Sequence, residues 1–93
     1  MDKKKIIAHQ YLSNLPIIVA FDFDGTITLK DEYPNIGTPN IDIINIIKSL
    51  QENNVKVILW SCREGVELND AVTFCMAYGI KFDAINENLP VIQ

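Results

Sequence analysis

The chain contains three short, mainly apolar runs. Between them, apolar residues recur at the spacing of an α-helix. Residues 17–21 form an unbroken apolar run rich in β-branched side chains, and residues 55–60 and 82–85 form two further runs. An unbroken apolar run of strand length is typical of a strand covered on both faces in a parallel α/β sheet. The pattern therefore predicts three strands.

The stretch between the first two strands predicts a helix. Thr38 suits the N-cap and Pro39 the first helical position, and the pair Asn53-Asn54 ends the helix. The apolar face of this helix repeats at helical spacing and consists of Ile43, Ile47 and Leu50, widened by Ile44 and Ile46.

A second helix is predicted over residues 66–78, between the second and third strands. Leu68, Val72 and Cys75 fall on one face of it, so Cys75 is expected in the core. Gly79 stands where a glycine commonly terminates a helix.

The resulting order is β-α-β-α-β, which implies right-handed crossovers and a parallel sheet. We expect one α/β domain over residues 1–93, with an N-terminal segment 1–15, a core 16–85 and a tail 86–93. Segment 1–15 is ambiguous, although its apolar residues fit one stripe of a short helix, namely Ile6, Ile7, Tyr11 and Leu12.

Ligands of open α/β sheets bind beyond the carboxyl ends of the strands. That rule brings Asp22 and Asp24 to the same edge as residues 61–63 and 86–88. The polar residues that follow the three strands are therefore the candidates for chemistry.

The most informative segment is Asp22-Phe23-Asp24-Gly25-Thr26, directly after the first strand. Two carboxylates at the edge of a core are costly unless a cation or hydrogen bonds compensate them. Mg²⁺ is the natural cation because it prefers hard oxygen ligands and keeps several waters. The alternative is a strand that simply ends in a polar turn.

This segment resembles the first signature of the haloacid dehalogenase superfamily of phosphotransferases. The resemblance implies a three-layer, Rossmann-like parallel sheet, here in a minimal three-stranded version. It implies that Asp22 is the nucleophile that forms an aspartyl-phosphate, and that Asp24 is the general acid and then the base. It also implies that the Asp22 carboxylate and the Asp24 backbone carbonyl hold Mg²⁺.

The second signature of that superfamily is a Ser or Thr that closes the second strand, and Ser61 fits it. Phosphate binding is thereby expected for Gly25, Thr26, Ser61, Cys62 and Arg63. Residues 59–65 and 33–37 together resemble a small, uncapped bacterial or phage branch of the superfamily.

For several of these residues the sequence also allows a second interpretation. Ser61 alone suits a turn, and Arg63 suits either a phosphate clamp or a surface salt bridge to Glu64 or Glu67. Tyr33-Pro34 suits a substrate-facing loop or a packed one. Cys62 is next to the site, but no neighbouring residue specifies a base that would make it a reactive thiol.

Two further signatures of the superfamily, a lysine and an acidic residue after a fourth strand, have no match in this sequence. Two functions therefore stand side by side. The first is a Mg²⁺-dependent phosphatase-like hydrolase that acts on a small phosphorylated molecule. The second is a catalytically incomplete module, such as a truncated product, that binds Mg²⁺, phosphate or a protein partner without turnover.

The composition limits the kinds of molecule and the compartment that we expect for this protein. The formal net charge is −4, which argues against a nucleic-acid-binding surface, and Lys3-Lys4-Lys5 is read as a solvated terminus or a docking tail. No apolar run is long enough to span a bilayer and the two cysteines form no disulfide framework, so a cytoplasmic protein is expected. Without a fourth strand, residues 17–21 form an apolar sheet edge. We expect this edge to be covered by another chain, as in a homodimer, by the N-terminal segment or by the tail 86–93.

Overall fold

A computed structural model describes residues 17–89 of the 93-residue chain. It contains the elements in the expected order, which are β1 (Ile18–Phe21), α1 (Ile41–Glu52), β2 (Lys56–Leu59), α2 (Gly65–Ala77) and β3 (Ala84–Ile85). The three strands form one parallel sheet in the order β1-β2-β3, with Ala20 beside Ile58 and Ile58 beside Ala84. The protein is therefore a small α/β fold of Rossmann-like type.

β3 is shorter than the four residues predicted, because an aspartate side chain replaces part of its ladder. The Asp83 N–H donates to the Val57 carbonyl, and the Val57 N–H donates back to the Asp83 carboxylate at 2.8 Å. The Lys81 carbonyl accepts from the Gln51 side chain at 2.6 Å instead of pairing with β2. Pairing of backbone with backbone is thereby limited to two residues of β3.

The start of α1 differs from the prediction, which placed its N-cap at Thr38. The N-cap is Asn40, whose side chain accepts from the Ile43 N–H at 3.4 Å. Pro39 does not begin the helix, because it forms an antiparallel bridge with Thr28.

α2 begins one residue earlier than predicted and ends as expected. Gly79 has φ +85°, and its N–H donates to the Met76 carbonyl while the Ile80 N–H donates to the Cys75 carbonyl. This pair of bonds is a Schellman motif, which needs a left-handed residue at the position of Gly79.

The helices share one apolar cluster with one face of the sheet. Val57 and Leu59 alternate onto that face of β2 and are fully buried there. Two right-handed crossovers that advance in the same direction leave both helices on one side, so residues 17–89 form two layers where three are expected. The other buried members of the cluster are Phe23, Ile27, Ile44, Ile47, Ala71, Cys75 and Ile80.

One member of the predicted apolar face of α1 does not belong to it. Ile46 is 49% exposed, whereas Ile47 is fully buried. Successive residues of an α-helix are about 100° apart around its axis, so the two side chains point in different directions. Ile46 therefore adds little to the core.

Several predictions lie outside the described residues, namely the helical stripe within residues 1–15, the exposed lysines 3–5 and the end of the tail. Within the described residues β1 pairs with β2 along one side, and Ile17 beside it is 58% exposed. The homodimer through residues 17–21 stays a prediction. No helix in residues 17–89 has the length and apolar composition required to cross a membrane.

Candidate functional site

The segment after β1 forms a wide turn over Phe23–Ile27, closed by the Thr28 N–H donating to the Phe23 carbonyl at 3.2 Å. Asp24 (φ −69°, ψ 121°) and Gly25 (φ 79°, ψ 2°) have the central angles of a type II turn. That turn requires positive φ at its third position, which explains Gly25. Phe23 is directed into the core, and the two aspartates beside it face a cavity.

Thr28 ties this turn to the loop that follows. It is fully buried, and its hydroxyl accepts from the Gly25 N–H at 3.1 Å and donates to the Lys30 carbonyl at 2.9 Å. This bridging role of the Thr28 side chain is not predictable from the sequence, because a threonine in a loop has many ordinary uses. The Gly25 N–H, one of the expected phosphate donors, is occupied by this bond.

The cavity has a volume of about 370 Å³ and opens at the carboxyl ends of the strands. Four predicted site residues line it together with Asp31 and Tyr33, whereas Gly25, Thr26 and Ser61 do not. The Asp31 carboxylate accepts from the Tyr33 N–H at 3.0 Å and thereby stabilises the loop. An aspartate two residues before an aromatic is too common a pattern to have revealed this. The four predicted residues in the lining are Asp22, Asp24, Cys62 and Arg63.

Arg63 is the centre of the site. Its side chain is only 1% exposed, and it forms a two-bond ion pair with Asp24, with Nε donating to Oδ2 and Nη2 donating to Oδ1, both at 2.7 Å. The remaining donors reach backbone carbonyls of Pro34 (3.2 Å), Glu67 (3.3 Å) and Asn35 (2.7 Å). A guanidinium has five N–H donors, so all of them have protein acceptors.

Arg63 therefore makes neither of the surface salt bridges considered from the sequence. Its ion pair is with Asp24, and Glu67 contributes only its backbone carbonyl. The hydrogen bonds that Arg63 donates to Asp24 raise the pKa of Arg63 above its ordinary value. Its guanidinium carbon lies over the rings of both Phe23 and Tyr33, 5.1 Å from each ring centre, so two cation–π contacts add to the ion pair.

Ser61 occupies the turn after β2 and is bonded within it, while phosphate binding by Ser61 stays a prediction. The Ser61 N–H donates to the Asn86 side chain at 2.7 Å, and its hydroxyl oxygen accepts from the Arg63 N–H at 3.1 Å. A hydroxyl that accepts one bond still has its own proton to donate. Ser61 is thus a turn serine whose O–H proton remains available for a phosphoryl oxygen, while two backbone N–H groups of this turn are occupied.

Asp22 is one of two cavity carboxylates, with Asp31, that Arg63 does not hold. Its Oδ1 accepts from the neighbouring Phe23 N–H at 2.8 Å, which fixes the carboxylate and leaves the other oxygen for a ligand. Within residues 17–89, no three acidic, cysteine or histidine side chains are close enough to hold a metal ion. Mg²⁺ commonly binds through one or two carboxylates plus waters and substrate phosphates, and a Mg²⁺ site at Asp22 and the Asp24 carbonyl stays a prediction.

The two cysteines differ in accessibility. Cys62 is exposed and lines the cavity, whereas Cys75 is fully buried, and burial raises the pKa of the Cys75 thiol to about 12. Both belong to no disulfide. Cys62 is consequently the thiol whose alkylation should be sensitive to a ligand in the cavity.

Comparisons with known proteins support the fold and assign no activity. No protein-family model and no curated protein matches the chain. The solved structure of a conserved protein from Bacteroides thetaiotaomicron is similar, with 39% sequence identity and a TM-score of 0.75. The similarity covers 82% of this chain and 62% of the other, so the chain spans less than two thirds of that protein's length.

Proposed function

We propose that the protein is a Mg²⁺-dependent phosphatase-like hydrolase of the haloacid dehalogenase type, which acts on a small phosphorylated molecule through an aspartyl-phosphate on Asp22. The observation that carries this proposal is the difference between the hydrogen-bond partners of the two aspartates. Asp22 faces the cavity with one carboxylate oxygen uncommitted to Phe23, whereas Arg63 holds both oxygens of Asp24. A nucleophile requires a carboxylate oxygen that is free to reach the substrate, which Asp22 has and Asp24 lacks.

In the proposed reaction an oxygen of the Asp22 carboxylate attacks the phosphorus atom. The new bond from that oxygen to phosphorus forms as the bond from phosphorus to the leaving oxygen breaks, and Asp24 supplies the proton for the leaving oxygen. Water then attacks the phosphorus of the aspartyl-phosphate and gives a proton to Asp24. Inorganic phosphate leaves, and the Asp22 carboxylate is regenerated.

The charges at the cavity explain why such a reaction needs a cation. Three aspartates and one arginine line the cavity, and the arginine is already paired with Asp24. A dianionic phosphate is repelled by such a site unless positive charge accompanies it. When bound, Mg²⁺ supplies that charge and aligns the phosphate, and the Asp22 carboxylate with the Asp24 carbonyl would hold it.

The experiment is hydrolysis of a nitrophenyl phosphate with and without Mg²⁺ by wild type, Asp22→Asn and Asp42→Asn. Asp42 is an exposed aspartate in the first turn of α1, so its variant is a matched exchange of carboxylate for amide. We expect Mg²⁺-dependent turnover that falls by about a thousandfold or more in Asp22→Asn and is unchanged in Asp42→Asn. Equal rates for wild type and Asp22→Asn contradict the proposal.

A second candidate is the incomplete module, which binds Mg²⁺ and phosphate without turnover. It is favoured by the Arg63–Asp24 ion pair, because the guanidinium holds both oxygens of the aspartate that the hydrolase needs as its proton donor. Alkylation of Cys62 separates the candidates when it is measured with Mg²⁺ and beryllium fluoride, a phosphate mimic. Protection of Cys62 without turnover supports the module, and protection with turnover supports the hydrolase. The absence of both protection and turnover contradicts both candidates.

A further inference from the structure

Arg63 joins four segments of the molecule through one side chain. It follows β2 in the chain, pairs with Asp24 in the turn after β1, bonds the Pro34 and Asn35 carbonyls of the loop, and bonds the Glu67 carbonyl of α2. It is the only arginine of the chain. The geometry of the cavity wall therefore depends on a single cation.

The same contacts separate Arg63 from any ligand in the cavity. A phosphate clamp needs free N–H donors at a solvent-accessible position, but the five donors of Arg63 are occupied and its side chain is 1% exposed. Two aromatic rings also lie within 5.1 Å of its guanidinium carbon, with Phe23 buried and Tyr33 at the cavity.

We infer that Arg63 is a positioning residue, which orients the Asp24 carboxylate and acts on the reaction through Asp24 without touching the phosphate. This inference rests on the proposed function. The two-bond ion pair engages both oxygens of Asp24 and so fixes the plane and the direction of this carboxylate.

The first test concerns the ion pair and requires no turnover. Because the chain has one arginine, a proton–nitrogen NMR spectrum of labelled protein contains one arginine Nε–H signal to follow. We expect Asp24→Asn to speed exchange of that proton with water by about tenfold or more, the equivalent of one charge-assisted hydrogen bond. Asp31→Asn, in the same cavity but not bonded to Arg63, serves as the control. An Nε–H exchange rate that Asp24→Asn leaves unchanged overturns the inference.

The second test separates positioning from phosphate binding by varying the leaving group. A nitrophenyl phosphate has a leaving group that needs little protonation, whereas an alkyl phosphate depends on a general acid, whose contribution is about 10²–10⁴-fold. We expect Asp24→Asn and the conservative Arg63→Lys to lose activity mainly on the alkyl phosphate. Lysine retains the charge but not the planar two-bond geometry.

The alternatives give different outcomes in this test. Equal losses on both substrates for Arg63→Lys, or an equal rise in KM for both, overturn the positioning role and indicate a structural or phosphate-binding one. If Arg63→Lys does not fold, the leaving-group dependence of Asp24→Asn and the Nε–H exchange decide the question. Absence of hydrolysis of either substrate by the wild type overturns the proposed function and Arg63's role in it, while the exchange experiment still decides whether the ion pair exists.

Discussion

The cavity and the apolar cluster beneath it are held together in opposite ways. Around the cavity, one buried guanidinium makes five hydrogen bonds to three other segments. In the cluster, nine buried side chains from helices, strands and turns pack without a polar centre. Loss of Arg63 therefore affects every wall of the site at once, whereas the loss of one apolar residue is shared among its neighbours.

The largest effect that tests this contrast is expected from Arg63→Ala. Removing one member of a buried ion pair leaves Asp24 unpaired and three backbone carbonyls without their donor, at a cost of about 3–5 kcal/mol in the free energy of unfolding. Urea unfolding followed by circular dichroism measures it. Lys81→Ala, at an exposed cation, is the control and should change stability by less than about 0.5 kcal/mol. A loss below about 1 kcal/mol for Arg63→Ala would remove the contrast between cavity and core.

A smaller effect is expected from Ile47→Ala in the apolar cluster. Ile47 is fully buried, and truncation of such a residue costs about 2–4 kcal/mol through lost burial and the cavity that remains. Its neighbour provides a matched control, because Ile46 is 49% exposed and Ile46→Ala should cost less than about 1 kcal/mol. Equal losses in the two variants, measured by the same urea titration, would contradict the assignment of faces on α1.

The smallest effect concerns pH and the two cysteines. Burial raises the pKa of Cys75 from its ordinary 9.0 to about 12. Between these values the thiol ionises in the unfolded chain but not in the folded one, so this contribution to stability is complete below pH 9 and is lost as pH rises towards 12. The loss is about 1.4 kcal/mol per pH unit in that window.

The measurement is the free energy of unfolding between pH 8 and about pH 11, by urea titration, for wild type, Cys75→Ala and Cys62→Ala. We expect Cys75→Ala to remove this part of the alkaline decline and Cys62→Ala to leave it, since Cys62 is exposed. A decline that is the same in all three proteins would show that Cys75 does not contribute to it.

The parts of the fold that sequence predicts best are those encoded locally. The β-α-β-α-β order, the burial of Cys75 and the helix termination at Gly79 each follow from apolar period or from the backbone freedom of one residue. The start of α1 does not, because Thr38 and Asn40 are both good N-caps and the bridge between Pro39 and Thr28 decides between them. Such a bridge joins residues eleven apart and leaves no periodic trace.

The residues of the site likewise include some that local sequence predicts and some that only the tertiary structure reveals. Asp22 and Asp24 were predicted at the sheet edge because they follow an apolar strand, and the structure places both at the cavity. The partner of Arg63 was not predicted, because Asp24 is 39 residues away and the nearby glutamates compete for the same inference. Asp31 and Tyr33 reach the cavity through the path of a loop, which depends on tertiary bonds to Arg63.

Arg63 holds the loop by its carbonyl oxygens, at Pro34 and Asn35, and not by its side chains. Every amino acid offers a backbone carbonyl, so the identity of Asn35 is not what anchors it. Substitution of Asn35 should therefore leave the bond from its carbonyl to Arg63, and with it the path of the loop beside the cavity, unchanged. A protein built this way diversifies the surface that a ligand meets without redesigning the scaffold that presents it.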